Sequence, residues 1–140
     1  MTDITPREKF HSNGKLASRE YRNAAGHLHR DPSEGPAVEC WREDGTKLYT
    51  AYWVNDKPHR DIKDGPSYVH CDIDGIICEE VYFMNGVEFS SKDVATILLQ
   101  ERISHAELAR DTAVAQLDKM TAFYKAKNKT AGEKISELIL

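Results

Sequence analysis

The sequence has few cysteines, no long apolar run and no recognisable catalytic signature. Its 140 residues contain three cysteines, Cys40, Cys71 and Cys78, which form no Cys-x-x-Cys pair, and an odd count argues against a disulfide framework. No apolar run could span a bilayer, and the first residues lack the basic and then apolar region of a secretion signal. A nucleophile elbow and a phosphate-binding glycine loop are also missing. These absences favour a cytoplasmic protein that is not an enzyme.

The charge is modest and unevenly distributed. Nineteen Lys and Arg face twenty-three Asp and Glu, a net charge of -4. Residues 91–140 carry eight basic against seven acidic residues, or +1, so residues 1–90 carry -5. An acidic region binds nucleic-acid phosphates poorly, and we expect no nucleic-acid partner.

The most informative stretch, residues 29–86, repeats itself at a step of thirty residues. Repetition at such a step is typical of a stacked or meandering supersecondary unit. Most recurring positions hold turn formers or aromatics, so the repeat encodes a fold rather than a catalytic pattern. The recurring pairs are His29-Arg30 with His59-Arg60, Gly35-Pro36 with Gly65-Pro66, Asp44-Gly45 with Asp74-Gly75, and Tyr52 and Asn55 with Tyr82 and Asn85.

This pattern resembles variant MORN-type repeats, in which an aromatic-x-x-Asn-Gly turn is followed by a His-Arg-x-x-Gly-Pro-Ala segment. The matching stretches are Tyr52 to Arg60 with Gly65-Pro66-Ser67, Tyr82 to Gly86, and a degraded copy from Gly26 to Ala37. The resemblance implies a β-meander over residues 14–89 that serves as an interaction surface. It also implies a phage-type accessory protein that inhibits or sequesters a host defence factor in the host cytoplasm.

The sequence predicts an α+β fold with an antiparallel meander of five or six strands. Asp44-Gly45 lies between two strand-like runs and predicts a hairpin with a type I′ turn. The pattern returns around Asp74-Gly75 and ends at a short strand, Val87 to Phe89. A first strand is expected from Leu16 to Tyr21. Residues 1–13 are expected to form a mobile arm or a short edge element.

A helical segment is expected over residues 90–140. Ser90 with Asp93, and Ser104 with Glu107, have the spacing of capping boxes. They predict a helix over 92–102, a break, and a second helix over 105–127. Gly132 then precedes a last helix over 133–140.

An apolar stripe on these helices exceeds what one small sheet can cover, and predicts a homo-oligomer assembled through the helices. Its residues are Leu108, Val114, Leu117, Met120, Phe123 and Tyr124.

Two loops offer candidate ligand-binding residues: His29 and Arg30 in one, His59 and Arg60 in the other. Together with Trp53 they could hold a small anionic ligand such as a nucleotide at a subunit junction, because Arg binds phosphate in a bidentate manner. The alternative is that each Arg and His bonds to its own loop. We favour this structural role because the motif recurs in register with turn residues.

Two further possibilities carry less weight. The histidines and cysteines lack the spacing of a structural zinc site, so neither a metal nor another cofactor is expected. Residues 106–114 have some features of a helix-turn-helix, which would make the protein a DNA-binding regulator. Ala113 stands where a turn glycine is common, however, and favours a continuous helix. The leading hypothesis is therefore a non-enzymatic protein-binding module that forms homo-oligomers, with no membrane association.

Overall fold

The computed structural model describes residues 4–139 and has the predicted α+β fold. Nine strands precede one long helix, α1, Ser91–Ile139. The chain divides into two compact units, the first ending at Leu98 and the second starting at Leu99. The strands are β1 Arg7–Phe10, β2 Leu16–Glu20, β3 Val38–Trp41, β4 Lys47–Ala51, β5 Trp53–Val54, β6 Lys57–Pro58, β7 Tyr68–Cys71, β8 Ile77–Met84 and β9 Val87–Phe89.

Seven strands form one antiparallel sheet in the order β1-β2-β3-β4-β7-β8-β9, while β5 and β6 form a separate small hairpin. The sheet exceeds the predicted five or six strands because β1 pairs with β2, from Arg7 with Glu20 to Phe10 with Leu16. Of the two expectations for residues 1–13, the structure therefore shows an edge strand over 7–10 rather than an arm. Residues 1–3 lie outside the described residues.

The turn at Asp44-Gly45 differs from the predicted type I′ geometry. Gly45 has a positive φ of 95°, but Asp44 does not. The turn is instead a longer one in which the Gly45 amide donates to the Arg42 carbonyl and the Asp44 carboxylate accepts from the backbone amide and hydroxyl of Thr46. The hydrogen bonds to Thr46 hold the pKa of Asp44 below its usual value.

Two positive φ values in succession, as a type I′ turn requires, occur at the aromatic-x-x-Asn turns. Asn55 and Asp56 have φ values of 51° and 59°, and Asn85 and Gly86 have 51° and 82°. The first of these turns joins β5 to β6 and the second joins β8 to β9. The predicted strand from Thr46 to Val54 is interrupted at Tyr52, whose amide donates to the Ser67 carbonyl.

The two faces of the sheet differ in chemistry. One face carries a ladder of charges in which Arg19 pairs with Glu8 and Glu39, and Lys47 also pairs with Glu39. Trp41 lies on this face, beneath Arg19 and Lys47. By strand register, the other face carries Val38, Ala51, Tyr68 and Val81. The small core consists of Ala37, Val38, Ala51, Ile62, Ser67 and Val94.

The helical region is one helix rather than the three that were predicted. The first capping box is confirmed: the Asp93 amide donates to Ser90 Oγ, and the Ser90 amide donates to the Asp93 carboxylate. At the second, the Ser104 hydroxyl donates to the Gln100 carbonyl within the helix and forms no cap. Gly132 likewise lies inside the helix, where its carbonyl accepts from Ser136.

Candidate functional site

The two loop histidines connect neighbouring repeats. His29 Nδ1 accepts a hydrogen bond from the Asn55 amide at 3.3 Å, and His59 Nδ1 accepts one from the Asn85 amide at 3.0 Å. Their own amides donate to the carbonyls of Tyr21 and Tyr52. Each imidazole thus holds the first positive-φ residue of the type I′ turn that belongs to the next repeat.

The two loop arginines have matching environments. The guanidinium of Arg30 lies 3.9 Å from the Tyr21 ring centre, and that of Arg60 lies 4.2 Å from the Tyr52 ring centre. Arg30 Nη1 donates to the Pro36 carbonyl, and Arg60 Nη1 donates to the Pro66 carbonyl. Arg60 therefore bonds its own loop and covers the aromatic residue that begins its repeat, as the structural interpretation predicted for the arginines.

Glycine is required beside each guanidinium. A Cβ at Gly35 would lie 2.8 Å from Arg30 Nη1, and one at Gly65 would lie 3.1 Å from Arg60 Nη1. Both glycines also have positive φ. The His-Arg and Gly-Pro pairs recur together because they form one packed junction.

The junctions leave little of the predicted anion site. No hydrogen bond, ion pair or ring contact in the described residues joins the His29-Arg30 pair to the His59-Arg60 pair. Of the five predicted ligand residues, only Trp53 lines the two adjoining cavities described below. Arg60 Nε is buried without a hydrogen-bond partner in the described part of the chain, but the flat face of its guanidinium is covered by Tyr52.

The opposite ends of the hairpins also form a series that the sequence analysis missed. His11 Nε2 donates to the Trp41 carbonyl, and Arg42 donates to the carbonyls of Cys71 and Asp72. A glycine amide closes each of the three turns: Gly14 donates to the His11 carbonyl, Gly45 to the Arg42 carbonyl, and Gly75 to the Asp72 carbonyl. Asn13-Gly14 lies thirty-one residues before Asp44-Gly45, and this spacing could have revealed the first copy.

A concave surface lies around Trp53. Two cavities of about 470 and 370 Å³ adjoin each other and share Ala51, Trp53 and Tyr68. We call this pair of cavities the aromatic groove. Its other lining residues are Glu20, Leu28, Val38 and Tyr49 on one side of Trp53, and Pro58, Ser67, Glu79, Val81, Phe83 and Glu88 on the other.

The charged residues lining the aromatic groove are all acidic: Glu20, Glu79 and Glu88. Glu20 is paired with Arg22 at 3.1 Å, whereas no ion pair within residues 4–139 involves Glu79 or Glu88. The Tyr49 and Tyr68 rings lie 5.7 Å apart. A hydrogen bond with Cys40 and, next, burial raise the pKa of Tyr49 to about 12, so both its ring and its hydroxyl remain neutral contact groups.

The second unit presents a different surface. Viewed at about 100° of rotation per helical residue, a band of residues lies within about 60° of Leu117. We call part of this band the helix seam. The seam is restricted to Val114 and the positions of this band that follow one another in steps of three or four residues; Arg102, Thr121, Gly132 and Ile139 lie in the same band but outside that series. The seam contains Leu99, Ile103, Ala106, Arg110, Ala113, Val114, Leu117, Met120, Tyr124, Asn128, Ala131, Ile135 and Leu138.

Four of the six predicted oligomerisation residues lie in the helix seam: Val114, Leu117, Met120 and Tyr124. Leu108 lies on the opposite side of the helix, and Phe123 lies about 120° from Leu117, although its ring contacts that of Tyr124. The large apolar side chains of the seam are 43% to 85% exposed. In the described unit they therefore have no cover.

The geometry also bears on the two possibilities that were given less weight, a metal site and a helix-turn-helix. Within residues 4–139, no three His, Cys, Asp or Glu side chains are placed to hold a metal ion. Helix α1 passes through Ala113 without a turn, so residues 106–114 do not form a helix-turn-helix. No helix in the described part of the chain has the length and apolar character needed to cross a membrane.

The structure defines an α+β protein whose antiparallel sheet is built from repeated hairpins and is followed by a long helix. No family model, curated protein or solved structure matches this chain.

Proposed function

We propose that the protein is a non-enzymatic binding module that holds a positively charged segment of another protein in its aromatic groove. The observation that carries this proposal is the combination of partly exposed aromatic rings with carboxylates and no basic side chain in the groove lining. Aromatic side chains bury large areas at little conformational cost and are enriched at binding hot spots.

The chemistry of the groove selects its occupant. A Lys or Arg side chain gains both cation-π attraction from Trp53, Tyr49 or Tyr68 and Coulomb attraction from Glu79 and Glu88. Its aliphatic stem fits against apolar residues such as Val38 and Val81. An anionic ligand would meet unfavourable charge at the same place.

The sheet provides a rigid support for this surface. The Arg30 and Arg60 junctions, which cover Tyr21 and Tyr52, hold the loops that follow these tyrosines. Trp53 itself is fixed through its carbonyl, which accepts from the Arg30 amide. Rigid placement of contact residues lowers the entropy cost of binding.

We also propose that the module works as a homo-oligomer assembled through the helix seam. A long helix whose apolar side chains are exposed is stabilised when another helix covers them. Several copies would then offer several aromatic grooves, and multivalent binding raises avidity without new contacts.

The binding proposal is tested by selecting displayed random peptides on the immobilised full-length protein. Enriched peptides are expected to carry Lys or Arg beside apolar residues, and their binding should be lost in Trp53→Ala. Trp41→Ala is the matched control, because Trp41 lies on the charged face. Equal binding by the two variants, or enrichment of acidic peptides, would contradict the proposal.

A further inference from the structure

We infer that the helix seam pairs with the seam of a second copy in antiparallel orientation, with its centre between Asp118 and Lys119. This inference deepens the proposed function and rests on its self-association step. Three properties of the helix support it: the spacing of the seam, the matching of its residues, and the distribution of charge along it.

The seam has the spacing of a two-helix interface. From Leu99 to Tyr124 its main positions alternate in steps of four and three residues, the heptad pattern of coiled coils. One further step of four leads to Asn128, after which the alternation resumes to Leu138. The 41 residues from Leu99 to Ile139 extend over about 60 Å, which gives a continuous contact line.

Reversing one helix about the proposed centre places similar or complementary residues opposite each other. Large apolar residues then meet at both ends and at the centre, and small Ala113 faces the bulky Tyr124. The two polar seam residues also face each other. The opposed pairs are Leu99 with Leu138, Ile103 with Ile135, Ala106 with Ala131, Arg110 with Asn128, Ala113 with Tyr124, and Leu117 with Met120.

A parallel pair would lose this matching. It would place Arg110 against the same Arg in its partner, and polar or charged residues at seam positions govern register and orientation at a cost in stability. It would also place Tyr124 against Tyr124 while leaving Ala106 against Ala106. Large side chains would meet at some levels and small ones at others, which packs unevenly.

The charges along the helix favour the same orientation. Residues 99–118 carry two Arg against four acidic residues, or -2, whereas residues 119–139 carry five Lys against two Glu, or +3. Antiparallel pairing places the acidic half of one copy beside the basic half of the other, and parallel pairing places like charges together. Complementary charge fixes orientation in such interfaces.

Disulfide trapping in the full-length protein tests the orientation. Ile103→Cys and Ile135→Cys proteins are mixed in equal amounts and oxidised gently, and the cross-linked tryptic peptides are identified by mass spectrometry. Trypsin cleaves after Arg102 and Lys134, so the two engineered cysteines lie in different peptides, which are also distinct from those of the native cysteines. The expected product joins position 103 to position 135. Disulfides joining 103 to 103 and 135 to 135 would overturn the antiparallel assignment.

A matched control uses Leu108→Cys mixed with Thr130→Cys, because both positions lie on the side of the helix opposite Leu117. These proteins should give no cross-link. Light scattering on the unmodified chain separates the two proposals: a monomer would overturn both self-association and the pairing, whereas a dimer with only like-to-like cross-links would overturn the orientation alone. Circular dichroism of each variant verifies that the helix is retained.

Discussion

Replacing Arg60 by alanine should destabilise the sheet far more than its partly exposed position suggests. The variant loses the stacking of the guanidinium on Tyr52 and the hydrogen bond to the Pro66 carbonyl. A partly desolvated cation-π contact contributes about 1–2 kcal/mol, and a hydrogen bond from a charged donor contributes about 1.5 kcal/mol. The free energy of unfolding should therefore fall by about 3 kcal/mol, a large part of the 5–15 kcal/mol that stabilises a typical domain.

Urea unfolding followed by the fluorescence of Trp41 and Trp53 measures this loss, because both tryptophans lie in the sheet unit. The melting temperature should fall by roughly 12–24 °C for a unit of this size. Arg60→Lys should show an intermediate loss, since lysine keeps the charge but lacks the planar fork. Arg30→Ala should match Arg60→Ala because its contacts correspond one by one.

Arg7→Ala provides the control for Arg60→Ala, since Arg7 is exposed at the edge of the sheet and its loss should change the unfolding free energy by less than about 0.5 kcal/mol. If Arg60→Ala and Arg7→Ala are equally stable, the explanation of the repeat junction is wrong.

Two further predictions concern the turn carboxylate Asp44 and the glycines. Hydrogen bonds from Thr46 lower the pKa of Asp44 in the folded state, so the stability it contributes is present above its unfolded pKa near 3.8 and is lost as the pH falls through the folded value. Asp44→Asn should reduce the acid loss of stability in unfolding curves measured on both sides of that window; an unchanged pH dependence would contradict the assignment. Gly132→Ala should stabilise the helix by about 1 kcal/mol in thermal melts followed by circular dichroism, because Gly132 lies in the helix interior with open space around it. The same change at Gly14, where φ is +80°, should cost about 1–2 kcal/mol, and a loss at both positions would show that the effect at Gly132 is not one of helix propensity.

The sequence predicted the fold class and the repeated hairpins well because turn formers at a fixed spacing report backbone geometry directly. It assigned the type I′ turn to the wrong place. Asp44-Gly45 has the preferred residues for that turn, but the Asp44 carboxylate caps the Thr46 amide and stabilises a longer turn. Asn55 and Asp56 adopt the positive φ values instead, helped by the Asp56 carboxylate, which accepts from the Leu28 amide twenty-eight residues earlier in the chain.

The helix breaks were mispredicted for a related reason. Ser104 and Gly132 are local stop or start signals, but a serine inside a helix can satisfy its hydroxyl by bonding the carbonyl four residues earlier. The aromatic groove was not predicted as a site, although many of its residues recur at the thirty-residue step. The step shows which positions correspond between copies, but it does not show which of them line one concave surface. The corresponding pairs are Leu28 with Pro58, Val38 with Tyr68, Tyr49 with Glu79, Ala51 with Val81, and Trp53 with Phe83. The role of His29 and His59 as acceptors from the next turn was likewise invisible without the register.

The repeat junction ends at Ser90, which occupies the position that Arg30 and Arg60 hold in the earlier copies and begins the helix instead. In each copy, the arginine covers the aromatic residue that begins that copy. The type I′ turn of each copy donates a backbone hydrogen bond to the histidine of the copy before it. A chain lacking residues 31–60 would therefore join Arg30 to Asp61. It would keep an arginine stacked on a tyrosine and a histidine bonded to the following turn, but the residues that make these contacts would come from different copies. Evolution can lengthen or shorten this sheet in whole modules of about thirty residues, and a junction tolerates one extra residue, since Tyr21 and Arg30 are nine residues apart whereas Tyr52 and Arg60 are eight apart.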